Sequence, residues 1–187
     1  ALHPSLKVEM RLENRFADLV EEGIDLAIRT GTMPDSSLIA RPIFDSRWVI
    51  VCSPEYLESH PEPRCAEDLL GHNCLTYTYQ ESGTANWLMK RPGRNDIYEL
   101  QVNGNLSANN ARAIRKAVIG GHGIAMVPRC MVYEDLQDGK LTEILAGHCG
   151  KVLGIYAVYP YTRNLPLKTR LLIEHIIGSY QNISHYF

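Results

Sequence analysis

The side chains able to do chemistry in this 187-residue chain are scattered and do not form a reaction centre. Five cysteines, Cys52, Cys65, Cys74, Cys130 and Cys149, make an odd set with no CxxC pair, which argues against a zinc ribbon or a disulfide framework. Cys52 and Cys74 fall in apolar stretches, where cysteine behaves as a small hydrophobe; Cys130 and Cys149 are better placed for a redox-sensing thiol, because their positions read as loops. His72, His122 and His148 lie near cysteines but lack the spacing of metal ligands, so no metal and no cofactor is expected. The string His72-Asn73-Cys74 invites a cysteine-hydrolase reading, yet Cys74 opens an apolar strand and not the exposed helix N-terminus that activates thiolates. There is no GxSxG, no HExxH and no paired-carboxylate pattern on a helix face, so the chain does not read as an enzyme. The glycines of Gly120-Gly121-His122-Gly123 follow a helix, whereas a phosphate-cradling loop needs glycine and lysine before one.

What remains is chemistry suited to binding. Arg29, Thr30 and Gly31 come just beyond a strand expected over residues 24–28, at the carboxyl end where open α/β sheets place their ligands. Arg29 is able to grip a carboxylate bidentately, or to serve a structural ion pair. Ser107 and Asn109 precede a helix expected over 109–120 and are of the types that cap helices. They either cap and nothing more, or leave further N–H groups and the positive end of the helix dipole to favour an anion.

The elements that would hold these residues alternate between strand and helix. Leu6, Val8, Met10 and Leu12 alternate with polar residues, the period of a half-buried strand. Phe16, Leu19 and Val20 follow at helical spacing against Asp18, Glu21 and Glu22, and Gly23 supplies the stop. Strands are then expected over 37–44 and 47–52, joined at Asp45-Ser46. A helix opens with Pro54, where a missing N–H does no harm, and a second spans 66–70. Strands over 74–79, 85–89 and 97–102 come next, the last two joined by a polar hairpin. The helix over 109–120 buries Ala111, Ile114, Ala117 and Val118, and presents Arg112, Arg115 and Lys116 as a solvated basic stripe. After the glycine turn come a strand over 124–127, a helix over 129–136, strands over 141–145 and 152–159, and a final helix over 167–180.

Composition fits a globular protein. Hydrophobic residues make up 45% of the chain and the net charge is −2, with a pI near 6.4. There is no basic field to draw in phosphate backbones, so these residues alone should bind DNA poorly. No apolar run approaches the roughly 18 to 20 residues of a membrane span, and the opening residues lack the order of a secretory signal, so no membrane association and a cytoplasmic address are expected.

Several of these segments together carry a resemblance. The run LVEEGIDLAIR followed by DSSLIARPI, then WVIVCSPEYL at Trp48 to Leu57, HNCLTYT at His72 to Thr78, VNGNLSANNARAIRKAVIGGHGIAMVP at Val102 to Pro128 and GKLTEIL at Gly139 to Leu145, resembles the effector-binding domain of LysR-type transcriptional regulators. The resemblance implies an α/β fold of two Rossmann-like subdomains joined by two crossover segments, of the periplasmic-binding-protein type II. Subdomain I would comprise 1–52 and 153–187, without the first strand and helix usual in the family, and subdomain II 53–152. A ligand cleft at the junction follows. In the family, segments matching Arg29-Thr30-Gly31, Thr78-Tyr79 and Ser107-Asn109 line the effector site. The resemblance also implies self-association into dimers or tetramers, and DNA binding only through an N-terminal winged helix-turn-helix that these residues do not include. The expected function is sensing of a small molecule, a carboxylate being the candidate class. A solute-binding protein of a transport system is the alternative with the same fold.

Overall fold

The computed structural model describes residues 6–13, 15, 17–31, 37–78, 86–91, 93, 94 and 96–187. In chain order the elements are β1 (Ala27–Thr30), β2 (Leu38–Cys52), α1 (Pro54–Ser59), a 3-10 helix (Ala66–Gly71), β3 (Cys74–Tyr77), β4 (Asn86–Lys90), β5 (Ile97–Gln101), β6 (Ser107–Ala108), α2 (Ala111–Ile119), β7 (Ile124–Pro128), α3 (Arg129–Gln137), β8 (Thr142–Ile144), β9 (Val152–Pro160), α4 (Leu167–Asn182) and a short 3-10 turn (Ser184–Tyr186). They fall into two compact units, Ala1–Asp45 with Leu153–His185, and Ser46–Val152 with Tyr186–Phe187.

The first unit is built on the sheet order β1-β9-β2. β1 runs antiparallel to β9, with Ala27 opposite Val158 and Thr30 opposite Ile155. On α4, Ile173 and Thr169 are buried, while Leu171, Leu172, Ile176 and Ile177 are partly covered. The Phe44 and Tyr180 rings meet with centroids 4.5 Å apart.

Three expectations in this unit are corrected. The helix expected from Phe16 is a single turn over residues 19–23, with Phe16 itself outside the described residues. Asp18 Oδ1 accepts the N–H groups of Val20 and Glu21, and the turn closes with Gly23 donating to Val20 O and Ile24 to Leu19 O, around Gly23 at φ +63°. That 6→1 and 5→2 pair is how a helix normally stops, and here it stops after one turn. Leu19 is buried as expected, but Val20 is 66% exposed. Secondly, the strand expected over 24–28 runs from Ala27 to Thr30, so Arg29 and Thr30 are its last residues and only Gly31 lies beyond it. Thirdly, residues 6–12 form no strand, and Leu6, Val8, Met10 and Leu12 are all exposed. Alternation makes a strand only where a neighbour takes up its main-chain hydrogen bonds, and no described strand pairs with this segment.

The second unit contains the larger core. β2 pairs antiparallel with β7, Trp48 opposite Pro128 and Val51 opposite Ala125, and with β8. β7 runs parallel to β3, which runs parallel to β6. The two strands expected over 37–44 and 47–52 are one continuous strand of 15 residues. Its inner half is wholly apolar from Trp48 to Cys52 and packs with Leu75, Ala125 and Val127 against Ile114 and Val118 of α2 and Val132 of α3. β4 and β5 form a separate antiparallel hairpin. α2 ends as the glycines require: Gly121 at φ +74° donates to Val118 O and His122 to Ala117 O. At Gly123, φ is +154° and an added Cβ would lie 2.2 Å from Asn73 O, so this turn accepts no side chain.

Candidate ligand site

The strand registers of the second unit bring a defined set of residues to one edge. β7, β3 and β6 are parallel to one another, and β2 is antiparallel to β7, with Trp48 opposite Pro128. The carboxyl ends of β7, β3 and β6 therefore share an edge with the start of the inner half of β2. Thr76 is opposite Ser107 and Tyr77 opposite Ala108, and the ladder continues past β3 where the Thr78 N–H donates to Ala108 O at 2.9 Å. Ser107 is thus the cross-strand partner of Thr76, and Thr78 and Asn109 follow just past the ends of the two strands. Ser107 and Asn109 are exposed and Thr78 is half-buried. Tyr79 lies outside the described residues.

The helix that follows is capped by a different residue from those expected. Asn110, not Ser107 or Asn109, is the N-cap of α2, and its Oδ1 accepts the N–H groups of Arg112 and Ala113 at 2.9 and 3.3 Å. Ser107 belongs to β6. Three residues of capping type lie within four positions, and residue type alone does not decide between them. Because Asn110 satisfies two of the first N–H groups, the helix end offers an anion fewer donors than the sequence suggested.

Two aromatic side chains extend the edge. The Trp48 and Tyr77 rings lie 5.7 Å apart at an interplanar angle of 23°. Lys151 stands over the Trp48 ring, its Nζ 3.9 Å from the centroid, and its carbonyl accepts the Trp48 main-chain N–H at 3.2 Å.

In the first unit, Arg29, Thr30 and Gly31 are consecutive at the end of β1. Gly31 has φ +102° and donates to Gly154 O at 2.9 Å, which ties the strand end to β9. Arg29 Nη2 donates to the Ala17 carbonyl at 2.6 Å, so part of its guanidinium holds the segment before β1.

The covered thiols are not poised to react. Burial pushes Cys52 and Cys74 up to about 12, with Glu62 adding to the effect at Cys52. Burial also raises Cys149, to about 11, and Cys130. Cys130 sits in α3 and not in a loop. Among the described residues no group of three His, Cys, Asp or Glu side chains is arranged to hold a metal ion, and no helix is long and apolar enough to cross a membrane.

A mixed α/β chain of two units, with polar residues gathered at the carboxyl ends of its parallel strands, has the periplasmic-binding-protein type II-like fold. The chain belongs to the LysR substrate binding domain family, whose model matches residues 1–181. It is 30% identical over 181 residues to the HTH-type transcriptional regulator CrgA of Neisseria meningitidis serogroup C (strain 8013), covering 96% of this chain and 59% of that protein. It is 31% identical to the HTH-type regulator YhjC of Escherichia coli (strain K12), covering 95% and 59%. Among solved structures, the full-length Vibrio cholerae virulence activator AphB superposes with a TM-score of 0.82 at 32% identity, covering 95% of this chain and 59% of that one. The regulatory domain of AphB from Vibrio vulnificus gives 0.75 at 32% identity, covering 95% and 85%. The chain spans about three fifths of the length of the full-length relatives.

Proposed function

We propose that this chain is the effector-sensing regulatory domain of a LysR-type transcriptional regulator. A small molecule binds it, and the parent protein answers by changing the arrangement of its oligomer and of DNA-binding heads carried outside these residues. The observation that carries this reading is the shared edge of the second unit, where the parallel pair of β3 and β6 ends immediately before α2, with Thr78 just past β3 and Ser107 in β6. Open parallel sheets bind ligands at that edge, because the strand-end loops and helix N-termini leave main-chain and side-chain polar groups unspent on the sheet. Thr78, Tyr79, Ser107 and Asn109 are assigned to the effector site from this unit, and Arg29, Thr30 and Gly31 from the other. An effector with a carboxylate suits the hydroxyl and guanidinium donors among them. The relatives are regulators, which favours this reading over a transport solute-binding protein, and no catalytic role is assigned to any residue. The parent would work in the cytoplasm as a dimer or tetramer.

The mechanism requires the effector to prefer one conformation of the domain, since a ligand that binds two states equally shifts neither. A thermal-shift screen of small organic acids against the purified chain tests the reading. It predicts at least one compound that raises the melting temperature saturably, with a smaller rise in Ser107→Ala and in Arg29→Ala. A hit whose shift is unchanged in both variants would reject the site assignment.

A further inference from the structure

We propose that Trp48 and Lys151 are ligand contacts of this site: the indole N–H of Trp48 donates to a carboxylate oxygen of the sensed molecule, and the Lys151 ammonium neutralises that oxygen's charge. The proposal rests on the effector-binding reading above and names the chemistry of its recognition.

Its starting point is an unsatisfied donor. Trp48 is 5% exposed, and among the described residues its Nε1 is the one buried side-chain nitrogen or oxygen with no hydrogen-bond partner. Trp87 is buried to the same degree and leaves no such atom. A buried N–H without an acceptor carries the full cost of its desolvation, so native proteins rarely keep one without a partner or a use. The position of Trp48 suggests the use. It faces Pro128 at the end of β7, and its ring lies against Tyr77, whose neighbour Thr78 and whose strand partner Ala108, next to Ser107, belong to the edge already described. The orphan donor is therefore at the carboxyl edge of the parallel strands, where a ligand acceptor arrives, and not at the far end of the sheet.

The charge of that acceptor follows from Lys151. Its ammonium is 3.9 Å from the centre of the ring that carries the donor, and the main-chain bond from Trp48 to Lys151 O fixes the two residues side by side. An oxygen hydrogen-bonded to Nε1 in the ring plane lies roughly 6 Å from an ammonium over the ring face, near enough for a negative charge to be stabilised while a neutral carbonyl gains little. The N–H is shut off from solvent. The acceptor is admitted by movement of the side chains packed around the ring, and the bound state then satisfies a donor that is otherwise unpaired. That difference favours the ligand-bound conformation, as a sensor requires.

The test uses the two indole N–H resonances of the 15N-labelled 187-residue chain, which has two tryptophans; the Trp48 signal is the one lost in Trp48→Phe. Acetate, succinate, citrate and benzoate are titrated against sodium chloride of equal ionic strength, with thermal shift recorded in parallel. The proposal expects at least one of them to move the Trp48 resonance downfield and saturably while that of Trp87 stays in place. Trp48→Phe, and independently Lys151→Met, should each weaken that compound about tenfold or more. A carboxylate that stabilises wild type and both variants equally, with the Trp48 signal unmoved, overturns this inference and leaves the effector-binding reading standing. If none of the four binds by either readout, the carboxylate class falls, and the inference falls with it.

Discussion

Asp135 is 1% exposed, and its two carboxylate oxygens accept from Nε and Nη2 of Arg115 across from α2. The basic stripe expected on α2 is therefore only partly a solvated face: Arg112 and Lys116 are exposed, but Arg115 neutralises a buried acid. Removing one partner of such a pair strands the other, so Arg115→Met should lower stability by roughly 2 kcal/mol, less than for a fully enclosed pair because Arg115 is partly exposed. Urea unfolding checks this, and an unchanged midpoint would mean the pair contributes nothing. His72 predicts a pH effect. Its Nδ1 lies 3.0 Å from the Tyr56 hydroxyl, whose oxygen accepts the Asn73 N–H at 3.4 Å. Burial, and then the neighbouring His60, hold His72 below its usual value of 6.5, with Asp68 opposing weakly. The unfolded chain therefore binds the proton first. The contribution of neutral His72 is fully present above about pH 6.5 and is lost as pH falls through the folded value. Urea titrations at pH 7.5 and 5.5 should show a larger loss for wild type than for His72→Gln; equal losses would contradict it. The thiols give a simpler expectation. In the native chain an alkylating reagent should label Cys65, which is exposed, well before the buried Cys52 and Cys74.

At the scale of elements, the central helix shows what patterning reveals and what it hides. The apolar set Ala111, Ile114, Ala117 and Val118 is legible because only one face of a helix meets a core, and Ile114 and Val118 are fully buried. The glycine stop after α2 is legible for a similar local reason, since few other residues reach a positive φ. The cap was not legible, because Ser107, Asn109 and Asn110 compete and the choice depends on where β6 ends. Nor was the coil over 6–12, whose alternation has a strand's period but no strand beside it, nor the single turn at residues 19–23. In the site, β3 followed from sequence, though it ends at Tyr77 and not at Tyr79 as expected, and β6 did not, since two residues carry no periodicity. The orphan Trp48 N–H did not, since partnership across strands is a property of the folded chain. Asn110→Ala should cost about 1 kcal/mol of stability, and Gly123→Ala several times more, because its Cβ has no room against Asn73 O. Thermal unfolding of the two variants should rank them in that order; the reverse order would show that the cap, not the turn, governs this region.

For the molecule as a whole, membership of the LysR substrate binding domain family and the strand-end chemistry of the second unit lead to one account: a domain that reports the presence of a small molecule. That account assigns the signal to the preference of the ligand for one conformation of the domain. The most direct test is calorimetric titration of the purified chain with a compound that stabilises it, repeated on Arg29→Ala and Ser107→Ala, one variant from each unit. The account predicts saturable one-to-one binding, weakened about tenfold in each variant while both remain folded. Binding that is unaltered by the two substitutions, or a chain that binds none of the small organic acids offered, would contradict it.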